Sequence, residues 1–73
     1  MDIPFASAQK ALIVMTGANA ANKELVIVNT ASNNTVTYVS VTSNSNYTYT
    51  TTTNNLKIAN AASTTTLGMI IYF

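Results

Sequence analysis

The chain has 73 residues with no histidine and no cysteine, and its only charges are Asp2, Lys10, Lys23, Glu24 and Lys57, for a net charge of +1. A chain this short buries only about 60% of the surface that its unfolded form exposes, and natural folds of this size usually add disulfides, a metal or a partner chain. Bridges and a structural zinc site are excluded by the missing Cys and His, which leaves association as the remaining remedy.

Charged residues make up 7% of the chain, against about 25% in an ordinary soluble domain. Asn, Thr and Ser take their place, and a neutral hydrogen-bonding surface is hydrated without repelling identical copies. Homotypic packing is therefore the expectation, set against the plainer one of a small module cut from a larger extracellular protein. Three scattered lysines and no arginine make no phosphate-neutralising stripe, so no nucleic-acid partner is expected. No run approaches the 18 or so apolar residues of a membrane span. Lys10 to Ala20 has the outline of a secretory signal, with an apolar stretch and the small-residue triplet Ala18-Asn19-Ala20. The stretch is short, however, and Asp2 stands where positive charge is expected. With Met1 retained, assembly without classical export is expected, as for virion proteins.

In chain order, residues 1–10 are expected as an extended N-terminal arm carrying Ile3 and Phe5, although Pro4 and the following alanines also suit a short helix. The arm leads into a strand over Ala11 to Thr16. Glu24 to Thr30 reads as a strand with Leu25 and Ile27 on one face and Val26 and Val28 on the other, so it should be central or covered on both sides. Lys23-Glu24 reads as a solvated turn before it. The turn Ala31 to Asn34 follows, since Asn tolerates left-handed backbone.

Thr35 to Thr42 is the next strand, and its alternation slips at Tyr38-Val39; a bulge or burial on both sides would accommodate the slip. After a turn at Ser43 to Asn46, Tyr47 to Thr53 alternates cleanly, with Tyr47 and Tyr49 on one face and Thr48, Thr50 and Thr52 on a wet one. Asn54-Asn55 turns the chain into a short strand, Leu56 to Ala59. A small-residue loop, Asn60 to Thr65, precedes the C-terminal apolar strand 66–73, where Leu67, Met69, Ile71 and Phe73 oppose Ile70 and Tyr72. The Ala-Asn-Ala-Ala tetrads at Ala18 and Ala59 reflect composition, and no solenoid period is present. The expected fold is all-β: one domain over residues 1–73, a small antiparallel barrel or sandwich of five to six short strands.

Catalysis needs a tuned acid, base or nucleophile within reach of a partner. Asp2 and Glu24 are the only carboxylates, and no histidine activates a hydroxyl, so no catalytic residues, cofactor, metal or small-molecule substrate are expected. Tyr47 and Tyr49 could stack on sugar rings as a ligand face, but such a pair is more often core or subunit interface. The threonine run invites an ice-binding reading, yet a flat array needs the pattern on adjacent strands. Asn33 and Asn46 match the glycosylation acceptor pattern in turns. The terminal segments carry the main functional expectation: Ile3, Phe5, Leu67, Met69, Ile70, Ile71, Tyr72 and Phe73 form a subunit interface with identical copies. The other reading is that the two ends pair with each other and close a monomeric barrel. The function expected is that of a self-assembling structural subunit of a virion (capsid, decoration or vertex protein) or a surface filament, located in the virion or at the extracellular surface, with identical subunits and other structural proteins of that assembly as the candidate partners. The alternative is a carbohydrate-binding module.

Overall fold

Residues with period-2 alternation and β-branched side chains fold as strands throughout the computed structural model, which describes residues 1–61 and 65–73. Among the described residues there are seven strands: β1 (Asp2–Pro4), β2 (Lys10–Met15), β3 (Glu24–Thr30), β4 (Val36–Ser40), β5 (Tyr47–Thr52), β6 (Asn55–Asn60) and β7 (Leu67–Tyr72). All pairings are antiparallel. They make a three-stranded sheet, β1-β6-β5, and a four-stranded sheet, β4-β3-β2-β7, arranged as a sandwich rather than a closed barrel. Residues 62–64 of the expected small-residue loop lie outside the described residues.

The core lies between the sheets. Ala11, Ile13 and Met15 of β2 and Val26 and Val28 of β3 face Leu56 and Ile58 of β6, with Ile3, Phe5, Val36 and Tyr47 completing it. The apolar stretch with the outline of a secretory signal is β2, an inner strand paired on both sides. Full burial of each Leu or Ile contributes about 1.5–3 kcal/mol relative to exposure, so this cluster is what makes the sandwich fold.

The arm is extended but docked. β1 pairs with β6, Ile3 opposite Leu56, and the Phe5 N–H donates to Asn54 O at 2.8 Å. The C-terminal strand pairs with β2, and the Phe73 N–H donates to Lys10 O at 2.9 Å. Each end thus pairs with an internal strand of its own chain. The ends also touch: the Phe5 and Tyr72 rings meet edge to face at 5.8 Å.

Local backbone chemistry fixes the turns. Asn34 and Asn54 occupy left-handed backbone at φ 71° and 57°, as the tolerance of Asn for that region leads one to expect. Between β2 and β7 the register shifts at Val14/Met15, so that Met69 opposes Val14 and Leu67 opposes Met15, with Gly68 left over as the bulge residue. A Cβ at position 68 would lie 2.2 Å from Thr16 Cγ2, so any larger residue there would have to displace the Thr16 side chain. The slip at Tyr38-Val39 is resolved differently from either expected device. The β3–β4 ladder runs from Thr30↔Val36 to Val26↔Ser40 without a shift, and Val39 and Val41 simply face outward.

Thr30 closes β3 on the inner face, and its hydroxyl is buried with no hydrogen-bond partner among the described residues. Thr30→Val, nearly the same shape without the unpaired hydroxyl, should raise stability by about 1–3 kcal/mol. The measurement is a higher urea midpoint at unchanged slope; an unchanged or lower midpoint would contradict the burial of an unpaired group.

Candidate functional site: an apolar sheet face beside a polar corner

The two sheets turn very different outer faces to solvent. On the three-stranded sheet, Thr48, Thr50 and Thr52 of β5 stand opposite Ala59, Lys57 and Asn55 of β6, and Asp2 and Pro4 of β1 complete a hydrophilic surface. On the four-stranded sheet, Val39, Ile27, Leu12 and Ile71 lie in one row across β4, β3, β2 and β7. A second row holds Leu25, Val14 and Met69, with Val41 beside Leu25 through a Val41 N–H to Leu25 O bond of 2.8 Å. Five of these residues are exposed, Ile27, Val39, Val41, Met69 and Ile71, from 46% at Ile71 to 64% at Val39, and Leu12, Val14 and Leu25 among them are half-buried. Scattered exposed aliphatic residues need no explanation, but five joined by half-buried aliphatic neighbours in two contiguous rows form a patch. The face carries a charge at one end, Lys10, whose ammonium donates to Asn29 Oδ1 at 2.6 Å.

Glu24 forms the polar corner. The expected solvated turn does not describe it: Glu24 begins β3 on the inner face and is 3% exposed. Its carboxylate accepts hydrogen bonds from Thr42 Oγ1, from Ser40 Oγ and Tyr49 OH at 2.7 Å each, and from the Asn44 N–H at 3.4 Å. Burial alone would raise the carboxyl pKa, but the four neutral donors together outweigh it and hold Glu24 below the ordinary carboxylate range. On Tyr49, burial, then the hydrogen bond to Glu24 and its negative charge, push the phenol far above its usual value, against a smaller lowering by Ser40. The Asn44 amide donates to Ala20, Ala21 and Lys23 carbonyls at 3.3, 3.0 and 3.0 Å. It thereby ties the connection around the short 3-10 turn Ala20–Asn22 to this end of the sandwich.

The tyrosines expected as a possible ligand face are placed inside this corner. Tyr47 is buried, and its hydroxyl donates to Asn22 O at 2.6 Å. Tyr49 is half-buried between Tyr38, 4.7 Å away, and Tyr47, 6.4 Å away. Their rings join the sheets rather than forming an open platform. Of the expected interface residues, Ile3 and Phe5 are in this chain's own core, because β1 docks on β6. Ile70 is half-buried against that core, while Leu67, Met69, Ile71, Tyr72 and Phe73 are exposed. The sequence reading missed the contribution of Leu12, Leu25, Ile27, Val39 and Val41 to one surface. The two-sided apolar pattern of residues 24–30 and the slip at Tyr38-Val39 were the available signals.

Chemically, Glu24 is a poor candidate base. Its lone pairs are engaged by four donors, and a lowered pKa weakens it further. No group of three or more His, Cys, Asp or Glu able to hold a metal occurs among the described residues, and no described helix is long and apolar enough to cross a membrane. A shallow open depression lies between the Asn33–Thr35 turn and the end of β5 at Thr51–Thr53, lined mainly by neutral polar groups. No protein-family model, curated protein or solved structure matches this chain.

Glu24 links stability to pH. Its folded pKa lies below the unfolded value, so its contribution is present above the unfolded value and is lost as pH falls through the folded one. Glu24→Gln turns an acceptor for four donors into a mixed donor and acceptor, and should lower stability at neutral pH by about 1–3 kcal/mol. Urea unfolding at neutral and strongly acidic pH checks this: the gap between the parent and the variant should narrow on acidification. A gap independent of pH would contradict the ionised carboxylate.

Proposed function

We propose that this chain is a structural subunit that self-assembles through homotypic contacts, as a virion component (capsid, decoration or vertex protein) or a surface filament, and that it is not an enzyme. The observation that supports this most directly is the outer face of the four-stranded sheet, where Ile27, Val39, Val41, Met69 and Ile71 are exposed in contiguous rows. The opposite face of the same small molecule is built from Thr, Asn and Lys, so the apolar face is not a general habit of this surface.

A nearly uncharged surface adds to the argument, since neutral copies approach one another without the repulsion that keeps ordinary small domains apart. The setting that fits is an assembly in which each subunit is held by many neighbours, in a virion or at an extracellular surface. Identical subunits are the principal partners. The carbohydrate-binding alternative has less support, because Tyr47 is buried and Tyr49 is packed between two rings.

Ile27→Lys and Val39→Lys together place charge on the face while leaving the core untouched. The double variant should keep its strands, seen as an unchanged far-ultraviolet circular dichroism spectrum, and lose assembly as seen by sedimentation velocity and electron microscopy. Assembly unchanged in the variant, or a parent protein that sediments as a monodisperse monomer at micromolar concentration and binds glycans, would contradict the reading.

A further inference from the structure

Three strands facing four leave one strand of the larger sheet without a counterpart, and the exposure pattern identifies it as β7. Of its six residues only Ile70 is half-buried, and the other five are exposed. Cover from the other sheet comes from the Phe5 ring against Tyr72 at 5.8 Å and from the Tyr72 hydroxyl donating to Pro4 O at 3.5 Å. At the opposite end, β4 and β5 are drawn together by the Tyr38–Tyr49 ring contact and by Glu24, which accepts from Ser40 and Tyr49. The sandwich is thus closed at one end and open at the other.

The open end has two strand edges of different character. β1 carries Asp2 and Pro4, a charge and a residue without an N–H, which blunt an edge against pairing. β7 has neither: Leu67 to Phe73 contains no charged side chain and no proline. Lys10 and Phe73 exchange both backbone bonds at 2.9 Å, which makes them a hydrogen-bonded pair. Antiparallel alternation then directs the N–H and C=O groups of Ile71 and Met69 to β2, and those of Tyr72 and Ile70 to the open side. Among the described residues, β7 pairs with β2 alone.

We propose that β7 pairs edge to edge and antiparallel with β7 of a second copy, across a two-fold axis. This rests on the reading of the chain as a self-assembling subunit and names the seam. Several features select a second copy as the occupant. The outward groups of Ile70 and Tyr72 recur at the same spacing on an antiparallel copy, which a two-fold contact requires. Both faces of β7 are apolar, Ile70 and Tyr72 on one and Met69 and Ile71 on the other, so apolar side chains meet apolar side chains on both sides of the joined sheet. No like-charged side chains are brought together. The apolar face alone is too small to hold a second copy, whereas an edge seam brings backbone hydrogen bonds of its own. Four strands about 4.8 Å apart and two rows of alternate side chains give the apolar face a footprint of roughly 300 Å², whereas a stable interface takes about 800 Å² from each partner. Pairing through β7 merges two such faces into one across eight strands.

The experiment uses the full chain, which has no cysteine of its own, with a nitroxide at Ile71→Cys and separately at Met69→Cys. Both positions are exposed on the outer face, and Lys57→Cys on the other sheet is the control. Labels on adjacent β7 strands should lie within about 20 Å of each other and broaden the spectrum on assembly, whereas the control should not broaden. Met69→Lys with Ile71→Lys should raise the dissociation constant at least about tenfold, with recovery at high salt as the repulsion is screened. Assembly by sedimentation without broadening at either β7 position, or undiminished by the lysines, would overturn the seam and leave the self-assembly reading intact. A parent chain monomeric at every concentration would overturn both.

Discussion

A two-layer sandwich has a single interior, and this chain carries more apolar strand surface than one interior can hold. β2, β3 and β7 each place aliphatic side chains on both faces, so forming the core with Ala11, Ile13, Val26 and Val28 necessarily sends Leu12, Leu25, Ile27, Met69 and Ile71 to the outside. In larger α/β proteins such strands are covered by helices on both sides. Here the described residues contain only one short 3-10 turn and no other helix. The register of the central pair, Ile13 opposite Val26 and Leu12 opposite Ile27, therefore determines both the core and the exposed face. A one-residue slip would exchange them.

The rest of the structure distributes order unevenly around that pair. One end of the sandwich is closed by rings and by a buried carboxylate whose donors come from four other positions along the chain: Ser40, Thr42, Asn44 and Tyr49. Such a network is demanding, since losing one partner leaves a buried polar group unmatched, and it fixes β3, β4 and β5 relative to one another. The other end depends on Phe5 and Tyr72 and leaves a neutral strand edge. Natural proteins usually blunt such an edge, as Asp2 and Pro4 do for β1. The two edges at the same end thus differ in character, one blunted and one open to pairing.

Much of this was legible in the sequence. The clean alternation from Tyr47 to Thr52 and the β-branched run from Glu24 to Thr30 appear as strands with the expected faces, and the Asn pairs mark the turns between them. The all-β class followed from these local signals. The arm was harder, because three residues containing a proline carry no periodic signal, and the β1 pairing is decided by Leu56, more than fifty positions away. Glu24 was misjudged for the same reason: a carboxylate next to a lysine looks solvated until distant hydroxyls are brought to it. The shared apolar face was written in the two-sided strands, but only the strand order, with β7 beside β2 and β4 beside β3, shows that their second faces coincide.

The central claim is that the outward apolar surface is stabilised by contact with other copies of the chain. Association that favours the folded form makes thermal stability depend on protein concentration, and the melting temperature across a dilution series measures this directly. Over a hundredfold dilution the midpoint should fall by roughly 5–10 °C for a domain of this size. A midpoint that stays constant over that range would mean that the sandwich is stable alone, and would contradict the account.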